Sequence, residues 1–88
     1  MSSLKETPEA RRKRLLWRAS HRGTREMDLL LGGFARIHLD RLTGSELDEL
    51  EAIIGLPDRE LMGWILGDRP VPQLQATATL KALLSFRP

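Results

Sequence analysis

Cysteine is absent from the 88-residue chain, which excludes a disulfide scaffold, zinc held by thiolates and a thiol nucleophile. β-Branched residues are sparse beside Leu, Ala, Glu and Arg, so strand is disfavoured and helix favoured. No apolar run approaches the roughly 20 residues that a membrane-spanning helix needs, and the start of the chain lacks the apolar region of a secretory signal. Glu6 and Glu9 interrupt the Arg-rich beginning, unlike a mitochondrial transit peptide. These absences point to one small all-α domain, in a bacterial cytoplasm and without membrane insertion. A chain of this size can build one core and has little left to enclose a substrate.

Charge is present in quantity and unevenly placed. The net charge is +2, yet residues 1–25 hold eight basic residues against Glu6 and Glu9, a net +6 that leaves −4 for the rest. Such a basic start suits nucleic acid, an anionic lipid surface or an acidic protein patch, and does not choose among them.

Start and stop signals divide the chain into five short helices after a flexible stretch over residues 1–7, and the domain spans 8–86. Thr7-Pro8-Glu9 opens the first helix, with Thr as cap, Pro in the first turn and Glu on the positive dipole end. Its Leu16, Ala19 and Ser20 are expected inside, Leu15 or Trp17 at the margin, and the cluster Arg11 to Arg14 in solvent. Gly23 stops it. Thr24 caps a second helix whose Met27, Leu30, Leu31, Phe34, Ala35, His38 and Leu42 share one face. Gly32-Gly33 within it signals either close packing or a bend. Thr43-Gly44-Ser45-Glu46 has capping-box spacing and leads into Leu47, Leu50, Ile53 and Ile54, with Gly55 as terminator. Pro57-Asp58 begins a fourth helix with Leu61, Trp64 and Ile65 inward, closed by Gly67. Arg69-Pro70-Val71-Pro72 is extended, because each proline disfavours helix in the residue before it. The fifth helix is expected to carry Leu74, Ala78, Leu80 or Lys81, Leu84 and Phe86. Short loops make a compact five-helix bundle, monomeric in the absence of a heptad seam.

Catalytic patterns are missing. His21 and His38 do not form a metal-binding spacing. Both read as structural, with His38 at the core edge on the apolar face of the second helix. Ser20 beside His21 lacks the strand-turn-helix elbow of a hydrolase, and no glycine follows a strand as a phosphate loop does. The chain therefore reads as a non-enzyme. Trp64 reads as core, whereas Trp17 lies near a basic surface with Arg14, Arg18 and His21.

The remaining feature is Arg22-Gly23-Thr24-Arg25-Glu26-Met27-Asp28. A helix junction accounts for Gly23, Thr24, Glu26 and Asp28. It leaves Arg22 and Arg25 opposing the positive helix end unless they pair with Glu26, Asp28 or a partner. Junction and binding site are equally compatible with this segment alone.

The ordered set of residues resembles the SdhE-type succinate dehydrogenase assembly factors. Their hallmark Arg-Gly-x-x-Glu stands here as Arg22, Gly23 and Glu26. Leu15-Leu16-Trp17 precedes it, and Asp28-Leu29-Leu30-Leu31 leads into Phe34. Further on come Leu42-Thr43, Pro57-Asp58 with Leu61 and Trp64, and Pro70-Val71-Pro72 with Leu74 and Leu84. The likeness covers roughly residues 10–86. It implies a five-helix bundle that binds the flavoprotein subunit of succinate dehydrogenase, of fumarate reductase or of both, and promotes covalent attachment of FAD. The flavin and the histidine that bonds to it then belong to the partner, and this chain holds no cofactor or metal of its own. Arg22, Gly23 and Glu26 are the implied partner-binding residues, flanked by Arg25, Asp28 and Trp17. In that picture Arg22 donates to the partner, Glu26 accepts or steadies Arg22, and replacing Arg22 spares the fold. The competing readings are a small basic nucleic-acid-binding regulator and an antitoxin-like interaction module with another partner.

Overall fold

A computed structural model describes residues 6–88. The described residues form five α-helices and no strand, as the composition predicts. They are α1 (Pro8–Ser20), α2 (residues 25–38), α3 (Gly44–Ile54), α4 (Asp58–Ile65) and α5 (Ala78–Ser85). Most of the expected flexible start, residues 1–5, lies outside the described residues. Within it, Thr7 caps α1 by accepting from the Ala10 amide at 3.0 Å, and Glu6 pairs with Arg14 at 2.7 Å.

The capping signals are realised as read. The Thr43 hydroxyl accepts from the Glu46 amide at 3.2 Å while the Glu46 carboxylate accepts from the Thr43 amide at 2.9 Å. Two orphan donors of the first turn of α3 are thus satisfied reciprocally. Leu47, Leu50, Ile53 and Ile54 of that helix are all buried. They meet Leu15 and Ala19 from α1, Met27, Leu31, Phe34 and Ala35 from α2, Leu61 and Trp64 from α4, and Leu80 and Leu83 from α5 in one core.

Helix α2 departs from the regular pattern. Its stretch Asp28–Gly32 is a π-helical turn, which inserts extra backbone into the helical repeat. Beyond it Phe34 and Ala35 remain inward, Leu39 is also buried, and His38 and Leu42 are half-buried. The α-helix ends at His38 and a 3-10 turn, Leu39–Arg41, follows. His38 sits at the core edge as expected, its ring 4.5 Å from Phe34. Gly32-Gly33 serves close packing as well. A Cβ on Gly32 would stand 2.9 Å from the Ser20 Cα of α1, and one on Gly33 would meet the Phe86 ring at 3.3 Å.

Three expectations about burial are corrected. Leu15, placed at the margin, is 0% exposed, while Leu16 and Ser20 are only half-buried. The α1 face is therefore rotated by about one residue. Leu74 is 97% exposed, because it lies in the 3-10 turn Gln73–Gln75 and α5 starts only after the Thr77 cap. Within α5 the inward set is Thr79, Leu80 and Leu83, with Ala78 and Lys81 exposed.

The fourth correction concerns the basic cluster. Arg11 pairs with Asp48 at 2.6 Å and with Glu51 at 2.9 Å, and Arg14 reaches Glu51 at 3.1 Å. Arg12 donates to the Leu39 and Leu42 carbonyls at 3.1 and 2.9 Å, beyond the end of α2, where a cation complements the helix dipole. These arginines fasten α1 to α2 and α3 rather than standing free in solvent. Hydrogen bonds from Arg14, then from Arg11, hold the Glu51 carboxyl below its ordinary value of 4.5. A carboxylate depressed in the folded state contributes stability above its unfolded pKa and loses it as pH falls through the lower folded value. Glu51→Gln should therefore melt below the wild type at pH 7, and the two melting curves should converge as pH falls through the lowered Glu51 value. A difference that persists unchanged to pH 2.5 would contradict the assignment.

Candidate functional site

The segment between α1 and α2 is a tight turn held from both sides. Gly23 has φ +112 and no atom within 4 Å of a would-be Cβ. Glycine is required there by the backbone, not by space. The Thr24 hydroxyl accepts from the Met27 amide at 3.3 Å, and the Asp28 carboxylate accepts from the Arg22 amide at 2.6 Å. Asp28 thus closes the turn.

The Arg22 side chain runs away from this turn, toward the junction of α3 and α4. Its Nε donates to Asp58 Oδ1 at 2.8 Å and its Nη2 to the Leu56 carbonyl at 2.6 Å, while Nη2 also stands 2.6 Å from Asp58 Oδ1 as an ion pair. Nη1 donates to the Ile54 carbonyl. The side chain is 10% exposed. The positive charge that opposes the start of α2 is therefore matched to the carbonyl end of α3, where cations are favoured. All three guanidinium nitrogens are engaged inside the molecule. An Arg22–Glu26 pair, one of the roles expected for Glu26, is not formed.

What the turn leaves outside is distinct. Gly23, Arg25 and Glu26 are exposed, and neither the Arg25 nor the Glu26 side chain has a hydrogen-bond or ion-pair partner among the described residues. Trp17 is 63% exposed. Its indole stacks on His21, with centroids 4.2 Å apart and planes 15° from parallel. His21 Nδ1 lies 2.7 Å from the Trp17 carbonyl oxygen. Facing an acceptor, that nitrogen carries the proton, and Nε2 is left without it in the neutral ring. The reading of His21 as an ordinary structural residue missed this role in an exposed aromatic pair; its i, i+4 spacing from Trp17 on one helix was the available signal. The role of Asp58 was illegible, because Arg22 reaches it across 36 positions.

Trp17, Arg18, His21, Arg22 and Asp58 line a shallow depression of about 420 Å³. A more enclosed apolar groove of about 350 Å³ runs between α3, α4 and the Leu74 turn. Among the described residues there is no group of three His, Asp or Glu side chains placed to hold a metal ion, and no helix long and apolar enough to cross a membrane. No strand precedes a glycine-rich helix start among them, so a dinucleotide finds no phosphate cradle of the usual kind.

Residues 13–87 match the family described as flavinator of succinate dehydrogenase. The chain belongs to that family. It is 45% identical over 75 residues to the FAD assembly factor SdhE of Acetobacter pasteurianus, covering 85% of this chain and 69% of that protein. It is 40% identical over 73 residues to the mitochondrial succinate dehydrogenase assembly factor 2 of Dictyostelium discoideum, across 83% and 52% of the two chains. With the corresponding protein of Meyerozyma guilliermondii it shares 42% over 59 residues, across 67% and 44%. The chain thus spans about half the length of the two mitochondrial relatives. In this flavinator-family chain the Arg-Gly-x-x-Glu turn is divided in role, with Arg22 built into the frame and Gly23 and Glu26 displayed on the surface.

Proposed function

We propose that this protein binds the flavoprotein subunit of succinate dehydrogenase and promotes its covalent attachment of FAD without contributing a catalytic group. Membership of the flavinator family supports the client. The observation that carries the contact surface is the exposed set Trp17, Gly23, Arg25 and Glu26, displayed beside a turn that Asp28 and Arg22 brace from within. Side chains without internal partners can pair with complementary groups without first breaking bonds inside the fold, and a braced turn loses little entropy on docking. Arg25 and Glu26 then make charge-assisted hydrogen bonds to the client, Gly23 lets its backbone approach, and Trp17 supplies apolar area. Arg22 and Asp28 act through the turn they hold. Flavin and its bonding histidine belong to the client, whose conformation the docked chain biases toward bond formation. The setting is a bacterial cytoplasm, and the free protein is a monomer.

The nucleic-acid reading loses its main support, since Arg11, Arg12, Arg14 and Arg22 are all bonded inside the fold. Glu26→Ala should keep the wild-type melting temperature and bind the flavoprotein roughly tenfold more weakly, with covalent flavin reduced in parallel. Co-expression with the flavoprotein subunit and in-gel flavin fluorescence read the outcome. Full flavinylation by folded Glu26→Ala and Trp17→Ala proteins would remove this surface from the function.

A further inference from the structure

Trp17 and His21 also form one wall of a second depression, of about 290 Å³, completed by Lys13, Leu16, Ser20 and Arg36. Lys13 comes from α1 and Arg36 from α2. Both are exposed, and neither forms an ion pair among the described residues. This sets them apart from Arg11 and Arg14, which find carboxylates on α3 or at Glu6. Two cations on different helices thus border one depression with no counter-charge bonded to either. The wall between them is largely carbon, from Leu16 and the indole. The Ser20 hydroxyl is not a donor to this space, being buried against Gly32.

Cationic lips on a carbon-lined slot suit a carboxylate carried beside an apolar side chain. They suit a phosphate run poorly, because nucleic-acid affinity needs many cations along the backbone, and the other arginines of α1 up to Arg14 are already bonded within the fold. We propose that the depression between Lys13 and Arg36 receives an acidic, apolar-flanked segment of the flavoprotein, as a second contact beyond the Arg22–Glu26 turn. This rests on the functional reading above and adds the chemistry of the partner surface. Trp17 and His21 line both this slot and the depression that contains Arg22, so one aromatic pair joins the two contacts.

The test is binding of purified flavoprotein subunit to the wild type, to Lys13→Glu/Arg36→Glu and to the conservative Lys13→Arg/Arg36→Lys, at low and moderate salt. Charge reversal should weaken binding by roughly tenfold at low salt and by less as salt rises. The conservative pair should bind as the wild type does, and all three proteins should melt alike because neither side chain is bonded internally. Equal affinity of the charge-reversed protein overturns this proposal alone. Failure of the wild type to bind the flavoprotein overturns the functional reading and this proposal with it. Duplex DNA binding by the wild type that charge reversal abolishes, with flavoprotein affinity unchanged, would assign the slot to phosphate and overturn the acidic-segment proposal.

Discussion

Arg22→Ala should lower the thermal melting temperature by roughly 10–20 °C, corresponding to about 3 kcal/mol in a domain of this size. The substitution removes three nitrogens at once from two carbonyls and a carboxylate at the α3–α4 junction. Those acceptors then lose their internal partner. Arg22→Lys should recover little, since a single ammonium cannot span acceptors on Ile54, Leu56 and Asp58. In a double-mutant cycle, Arg22 and Asp58 should show a coupling of about 1–3 kcal/mol. Circular dichroism melts measure each of these. A shift of only one or two degrees would restore the expectation that Arg22 is a free surface contact. Lost flavinylation in this variant should follow the loss of folded protein, whereas Glu26→Ala should lose it with the fold intact.

Gly32→Ala should destabilise the protein by about 2 kcal/mol, although alanine is the better helix former by about 1 kcal/mol. The new methyl would meet the Ser20 hydroxyl at 2.8 Å and Ser20 Cα at 2.9 Å. A backbone atom cannot rotate aside, so α1 and α2 would have to separate and disturb the core around Leu15 and Leu31. Its neighbour provides the contrast. At Gly33 the methyl would meet only the edge of the Phe86 ring, at 3.3 and 3.4 Å, and that side chain near the end of the chain can shift. Gly33→Ala should therefore be close to neutral, with the gain in helix propensity offsetting the displaced ring. Chemical denaturation of both variants tests the ordering. Equal stability of the two would mean that α1 and α2 do not approach as closely as Ser20 and Gly32 do here.

Together these residues divide the Arg-Gly-x-x-Glu segment into a frame and a face. Thr24, Asp28 and the Arg22 guanidinium hold the turn and tie it to the far side of the bundle. Gly23, Arg25 and Glu26 occupy the outside, with Trp17 on the adjoining helix. Loss of function at Arg22 and at Glu26 can therefore look alike in a flavinylation assay while arising from different physics. The melting temperature separates them.

Much of the architecture was legible because it is encoded locally. Thr7, Thr24 and Thr43 cap the amides three residues ahead of them, Gly23 permits a backbone that other residues resist, and the Leu47 to Ile54 spacing selects the inward face of α3. Such interactions lie within one helical turn and depend on short-range geometry alone. The resemblance to the flavinator family was likewise carried by residue order. Where side-chain charges end was not legible. Arg22 finds Ile54 and Asp58, Arg12 finds Leu39 and Leu42, and Arg11 finds Asp48 and Glu51 over separations of 27 to 40 residues. The burial of Leu39, in the 3-10 turn that follows α2, was likewise not read. The sequence by itself determined the all-helical class, the caps at Thr7, Thr24 and Thr43, and the glycine turn at Arg22-Gly23-x-x-Glu26. Only the tertiary structure decided that Arg22 is internal and Glu26 external, because a long cation bonds to whichever acceptors packing brings within reach.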